Sequence, residues 1–143
     1  MSPFSIIDTK VVVAGLLTAH ADSLVARILD GMLGASFSFV VSEALLAEYL
    51  AVLMRPKLCK RHGLSVSKID CIPTDMARHA IVLTPANTGA VSFSPAAGDQ
   101  FLWDLLATRA DLVLVTGDKL LLQDEPMQHR ILSAQAFVAQ WQH

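Results

Sequence analysis

The sequence predicts an α/β sandwich built on a largely parallel sheet, and three observations carry that prediction. Short apolar runs rich in β-branched residues alternate with longer segments whose apolar residues recur at helical spacing. Helix-length stretches separate successive runs, as parallel neighbours require. The 143 residues suit one domain spanning residues 1–143, and a 53% hydrophobic content is enough for a sizeable core.

Taken in order, Phe4-Ser5-Ile6-Ile7 reads as a buried first strand ending at Asp8. Val11 to Leu17 continues apolar until Thr18-Ala19-His20-Ala21 breaks it. Asp22 can cap a helix with Leu24, Val25, Ile28, Leu29 and Leu33 on one face, its end bracketed by Gly31 and Gly34. Phe37 to Val41 is a second strand. Ser42 caps the next helix, in which Leu45, Leu46, Tyr49, Leu50 and Leu53 form the buried stripe, and Pro56 ends it. Residues 65–80 read as helical but interrupted at Pro73, and Ile81-Val82-Leu83 as a third strand. Thr84 to Gly98 is a loop by its prolines and glycines. A helix from Asp99 to about Arg109 leads into a fourth strand, Leu112 to Val115, after which Gly117 turns the chain. Ile131-Leu132 reads as a short edge strand, and Ser133 to Trp141 as a last helix.

Composition excludes several classes of function. Apolar runs never reach the 18 residues of a membrane span. Asp8 and Lys10 interrupt the first apolar run and no basic segment precedes it, which argues against a secretory signal, so a cytoplasmic location is expected. Cys59 and Cys71 are too few for a disulfide framework, and no histidines fall at helical ligand spacing for zinc. Net charge is −2, so any affinity for nucleic acid needs a local basic patch. Arg55, Lys57, Lys60, Arg61 and His62, with Lys68 shortly after, offer either such a patch or an ordinary solvated helix end.

The acids narrow the chemistry. In a parallel sheet, ligands sit beyond the carboxyl ends of the strands. Asp8 directly follows the first strand, and Asp118 follows the fourth in Thr116-Gly117-Asp118. Asp99 opens the helix leading into that strand, and Glu48 can lean back to the same edge from its own helix. An aspartate after a strand also commonly caps a helix or turn, so no one of these residues is diagnostic alone. Carboxylates converging on one edge repel, and a divalent cation relieves the repulsion. Oxygen ligands without histidine or cysteine suit Mg²⁺ or Mn²⁺, and that site suits phosphoryl hydrolysis.

Ile6-Ile7-Asp8-Thr9, Val41-Ser42-Glu43-Ala44-Leu45-Leu46-Ala47-Glu48-Tyr49, Asp99-Gln100-Phe101-Leu102 and Leu114-Val115-Thr116-Gly117-Asp118-Lys119 together resemble the PIN-domain family. The nearest branch is similar to VapC-type ribonucleases, the toxin components of bacterial toxin–antitoxin pairs, and Arg55-Pro56-Lys57-Leu58 also looks like that branch. The resemblance implies a three-layer sandwich with a mainly parallel, roughly five-stranded sheet flanked by helices. It further implies Mg²⁺ or Mn²⁺ dependence, endonucleolytic cleavage of RNA, a protein antitoxin and a homodimer. By resemblance Asp8, Asp99 and Asp118 are metal ligands and Glu48 is the fourth catalytic acid, with Glu43 a competitor better suited to complement the helix dipole. Thr9 and Thr116 are the supporting hydroxyls, Arg55 and Lys57 substrate contacts, and Asp104 a fifth acid or a solvent-facing one. Lys10 is expected either to pair with one of the acids and weaken metal binding or to contact a substrate phosphate.

Two departures bear on activity. Lys10 stands where this family usually has asparagine, and Ser94-Pro95-Ala96-Ala97-Gly98 precedes Asp99 where the branch is often acidic. Both leave open a catalytically weak or inactive PIN module that binds RNA or a protein. A haloacid-dehalogenase-like phosphatase needs an aspartate where Lys10 stands, and a receiver domain has no need of Asp99.

Overall fold

A computed structural model describes residues 4–85 and 97–141. Five short strands alternate with helices as β1 (Phe4–Ile7), α1 (Thr9–Leu17), α2 (Leu24–Leu33), β2 (Val40–Val41), α3 (Glu43–Leu53), α4 (Pro56–His62), α5 (Val66–His79) and β3 (Ile81–Val82). After a single 3-10 turn at Ala97–Asp99 come α6 (Gln100–Leu106), β4 (Leu112–Val115), α7 (Lys119–Leu122), a 3-10 stretch at Glu125–Arg130, β5 (Ile131–Leu132) and α8 (Ala134–Trp141).

Every strand pairing is parallel. β4 lies between β1 and β5, with Ile6 opposite Leu114 and Leu114 opposite Ile131. β2 pairs with β3, and a single parallel bridge between Ser5 and Phe39 sets that pair beside β1. The strands therefore run in the order β3-β2-β1-β4-β5. The chain winds outward from β1 to β3, then returns to the other side of β1. That reversal falls between β1 and β4, where open α/β sheets leave a crevice at the strands' carboxyl ends. Both strands are nearly continuous hydrophobic runs, as burial on both faces demands.

Several elements differ from the sequence-based expectation, each for a packing reason. Residues 9–17, predicted only as a continuing apolar run, form α1. Ser23, not Asp22, caps α2, its hydroxyl accepting from the Ala26 N–H at 3.2 Å. The second strand begins at Val40 rather than Phe37, because the Phe37 ring turns edge-on to Phe39, Phe137 and Trp141 beneath α8. Gly31 lies inside α2 and is the place where this aromatic cluster closes, since a Cβ there would fall 2.7 Å from the Phe37 ring. The third strand is Ile81–Val82, although the Leu83 N–H still reaches the Val41 carbonyl.

Pro73 does not interrupt α5. A proline inside a helix forfeits one backbone hydrogen bond and crowds the preceding turn. Ile69 and Met76, both fully buried, hold the helix on either side of it. Pro56 ends one helix as expected but also begins α4 at its first turn, where a missing N–H costs nothing. The helix after Asp99 stops at Leu106 rather than Arg109. Beyond it, the Arg130 guanidinium donates to the carbonyls of Leu106, Arg109 and Leu112, binding the helix end to the start of β4. Residues 86–96 of the predicted loop lie outside the described residues.

α1 and α2 pack closely because Gly15 has no side chain. A Cβ at position 15 would stand 2.6 Å from the Val25 backbone carbonyl oxygen, so the helices would have to separate. Gly15→Ala is expected to destabilise the fold by about 1–3 kcal/mol despite alanine's higher helix propensity, as urea unfolding would register. An unchanged or raised midpoint would contradict this packing.

Candidate active site

The switch point between β1 and β4 carries the acids. Asp8 is the first residue past β1, and its N–H donates to the Val115 carbonyl at 2.9 Å, extending the ladder by one rung. The residue is only 5% exposed. Asp8 occupies the N-cap position of α1, yet its side chain makes no capping hydrogen bond, and neither does that of Asp99 at the start of α6. Asp118 does cap: its Oδ1 accepts from the Leu120 N–H at 3.0 Å. Ordinary helix capping therefore accounts for Asp118 in part and for the other two aspartates not at all.

One hydroxyl joins the two strand ends. Thr116 is fully buried; its Oγ1 donates to Asp8 Oδ2 at 2.7 Å and accepts from the Asp118 N–H at 3.1 Å. Tyr49 Oη, from α3, donates to the carbonyl of Ile7, the residue before Asp8. Thr9 Oγ1 is buried with no partner among the described residues. Lys10, 72% exposed, places Nζ 3.4 Å from Asp118 Oδ2. Glu48, Asp8, Thr9 and Asp99 face a cavity of about 550 Å³ bounded by α1, α3 and α4.

Electrostatics mark the acids as mutually strained. Burial pushes the Asp8 carboxyl above its ordinary 3.8, and the Asp99 charge adds to the rise; the Thr116 hydrogen bond, then the Thr9 backbone N–H and Lys10, oppose it without cancelling it. Asp99 is likewise raised, by burial and then by Asp118, with Lys10 again opposing. Burial, then the Asp8 charge, lifts the Tyr49 phenol well above its ordinary 10.0, so it stays a neutral donor.

The remaining expected residues divide. Asp104 is exposed on α6 and accepts from the Gln100 amide at 3.1 Å, away from the cavity. Glu43 is exposed in the first turn of α3 and does not line the cavity either. Arg55 and Arg61 border the cavity, whereas Lys57 lines an adjoining apolar groove with Pro56 and Leu58. His62 drops out of the basic run: its Nδ1 accepts from the Leu64 N–H, so Nε2 donates to the Leu53 carbonyl at 3.1 Å. Sequence reasoning placed Tyr49 only in a buried stripe. The available signal was a hydroxyl, the chain's single tyrosine, among leucines.

Among the described residues no three acidic, histidine or cysteine side chains are grouped tightly enough to chelate an ion as they stand. The donor set nonetheless fits a hard cation that keeps most of its water. Carboxylates from separate elements surround one cavity, no histidine or cysteine lines it, and the orphaned Thr9 hydroxyl is a buried group that ordered water would satisfy.

Fold and site together define a parallel α/β protein with an acidic, oxygen-only centre at the sheet's switch point. The chain belongs to the PIN-domain family, whose model matches residues 5–120, from β1 into α7 and across all four acids. PIN domains are typically nucleases, generally use divalent metal ions and act on RNA. No curated protein and no solved structure matches the chain at a significant level. Among the described residues no helix is long and apolar enough to cross a membrane.

Two expectations follow from the buried groups. Tyr49→Phe leaves the Ile7 carbonyl unpaired and should cost about 1–3 kcal/mol in urea unfolding; no loss would mean that this bond does not hold the strand end. Because the folded Asp8 value lies above 3.8, its favourable contribution is complete below that pH and is lost as pH rises through the raised value. Asp8→Asn should therefore gain stability over the parent protein between acid and neutral pH, in metal-free buffer. A difference independent of pH would contradict the burial penalty.

Proposed function

We propose that the protein is a metal-dependent endoribonuclease, the toxin of a toxin–antitoxin pair. The observation that carries this reading is a buried Asp8, its side chain making no helix cap, held against the charge of Asp99 and followed by a Thr9 hydroxyl with no partner among the described residues. A stable fold gains nothing from such an arrangement unless a cation and a substrate use it.

In this reading Asp8, Asp99 and Asp118 hold Mg²⁺ or Mn²⁺, with Glu48 joining directly or through water. The ion, when bound, supplies an activated water and neutralises charge developing on the phosphodiester. The chain's own groups orient the chemistry. Thr116 fixes one oxygen of Asp8, Tyr49 anchors the strand end behind it, and Thr9 offers a hydroxyl to water in the cavity. Lys10, Arg55 and Lys57 are the proposed phosphate contacts. By analogy with the family, the products carry a 5′-phosphate and a 3′-hydroxyl. A cytoplasmic homodimer neutralised by a protein antitoxin completes the proposal.

The Lys10–Asp118 contact favours a second reading, a PIN module with weak or lost catalysis. A lysine beside that aspartate competes with a divalent ion for the same oxygen. An exposed ion pair is worth at most about 1 kcal/mol, so the competition is slight and the enzyme reading stands ahead.

RNA should be cleaved in Mg²⁺ or Mn²⁺, and Asp8→Asn should lower the rate by more than on the order of a hundredfold. Activity that survives Asp8→Asn combined with Asp118→Asn sinks the assignment. Lys10→Asn should strengthen Mn²⁺ binding by up to about fivefold in calorimetric titration. A loss of RNA affinity with no change in Mn²⁺ affinity would instead make Lys10 a substrate contact. Expression of the chain alone should arrest growth of the host, and Asp8→Asn should not.

A further inference from the structure

Between Glu48 and Asp70 the chain carries no acid, and five of its 11 lysines and arginines fall there: Arg55, Lys57, Lys60, Arg61 and Lys68. Lys60 and Arg61 stand in the last turn of α4, where cations complement the helix dipole. That dipole opposes Arg55 at the N-cap and Lys57 in the first turn, and no acid in that turn offsets them. Helix stability therefore does not account for this pair. Among the described residues no carboxylate pairs with Arg55, Lys57 or Arg61, and no hydrogen bond engages their side chains.

Those same three residues, with Pro56 and Leu58, line a groove of about 660 Å³. Its surface is mainly apolar although three of its five lining residues are cations. Lysine and arginine lend aliphatic stems to such a wall and leave their charged heads to water or to an anion. The helix that carries the groove is tied down. The Leu53 carbonyl, at the end of α3, accepts from both the Cys59 thiol at 3.5 Å and the His62 ring at 3.1 Å. Arg55 and Arg61 also border the acid-lined cavity, so groove and cavity adjoin.

We propose that this groove docks an acidic segment of a partner protein, with an apolar side chain on Pro56 and Leu58 and carboxylates on Arg55, Lys57 and Arg61. Charge complementarity sets the sign of the partner, and the planar fork of a guanidinium matches a carboxylate through two parallel hydrogen bonds. Exposed charge pairs contribute little singly, so the apolar wall supplies affinity while the cations fix orientation and exclude basic partners. Nucleic acid would also satisfy the cations, but unpaired bases are held by stacking on aromatic rings, and none lines the groove. Pro56 and Leu58 suit an aliphatic anchor instead. The inference does not depend on the nuclease reading. Arg55 and Lys57 are phosphate contacts in that reading, so a docked acidic segment would deny them to RNA.

Fluorescence anisotropy on the full chain in EDTA would compare four labelled probes. These are a peptide with a central leucine flanked by glutamates, the same peptide with glutamine for glutamate, the same with serine for leucine, and an oligouridylate of equal length. The acidic, leucine-bearing peptide should bind on the order of tenfold more tightly than either altered peptide. Lys57→Glu should weaken that binding by about fivefold and flatten its dependence on salt. Leu58→Ala should weaken it with the salt dependence kept. Lys57 is exposed, so its variant keeps the test decisive even where Leu58→Ala disturbs α4. Equal affinity for the three peptides overturns the inference, as does unchanged binding of the acidic peptide by the Lys57→Glu protein. Oligouridylate bound through Lys57 and Leu58, with no peptide bound, overturns it in favour of a nucleic-acid groove. Cleavage assays without peptide keep the two readings apart. RNA cleavage by a chain that binds no peptide removes the docking site alone; peptide binding by a chain that cleaves no RNA in Mg²⁺ or Mn²⁺ removes the nuclease alone.

Discussion

The hydroxyl of Thr116 is the contact on which the site depends. It donates to Asp8 from a residue 108 positions further along the chain and accepts from the Asp118 backbone, so it welds the ends of β1 and β4 where the sheet reverses its winding. The parallel ladder brings those ends together, with Ile7 opposite Val115. The hydroxyl then fixes one oxygen of the Asp8 carboxylate at the junction. A charge so placed is costly: burial raises the Asp8 carboxyl, and Asp99 raises it further. The rest of the core must supply the stability that this junction gives up.

Much of that support is aliphatic and close-packed. Ile6, Ile7, Leu114 and Val115 are fully buried in the two central strands, and Leu45, Tyr49 and Leu53 of α3 form a fully buried stripe that carries the phenol hydroxyl to Ile7. Tyr49 links two levels of structure: its ring belongs to the core and its oxygen fixes the carbonyl next to the acid. Burial that lifts its ionisation far from neutrality also keeps it a donor over any ordinary range of pH.

Lys10 tempers the acid cluster without neutralising it. From an exposed position it lies 3.4 Å from Asp118 and acts against the rise at both Asp8 and Asp99. A mobile, solvated ammonium relieves repulsion weakly, which leaves Asp8 and Asp99 raised. Arg55, at the N-cap of α4, and Arg61 within it stand apart from this exchange. Among the described residues neither pairs with a carboxylate, although both border the cavity that Asp8, Glu48 and Asp99 line, a placement that net charge of −2 could not foreshadow.

Local physics made much of this legible from the chain alone. β-branched runs located β1 and β4, a serine before an apolar stripe located α3, and the position of an aspartate after each strand marked Asp8 and Asp118. Such signals depend on near neighbours, through side-chain periodicity and caps, and so survive without knowledge of the fold. Where they failed, packing overrode them: α5 runs through Pro73 because buried Ile69 and Met76 hold it, and Phe37 leaves its strand for an aromatic cluster with α8. The tertiary structure alone decided that Thr116 bonds Asp8, that Tyr49 reaches Ile7, that Asp104 and Glu43 stay outside, and that Arg61 joins the cavity while His62 turns to the backbone. These depend on which elements meet across long stretches of chain, and no local spacing encodes the distance between two groups brought together only by the sheet's parallel pairing.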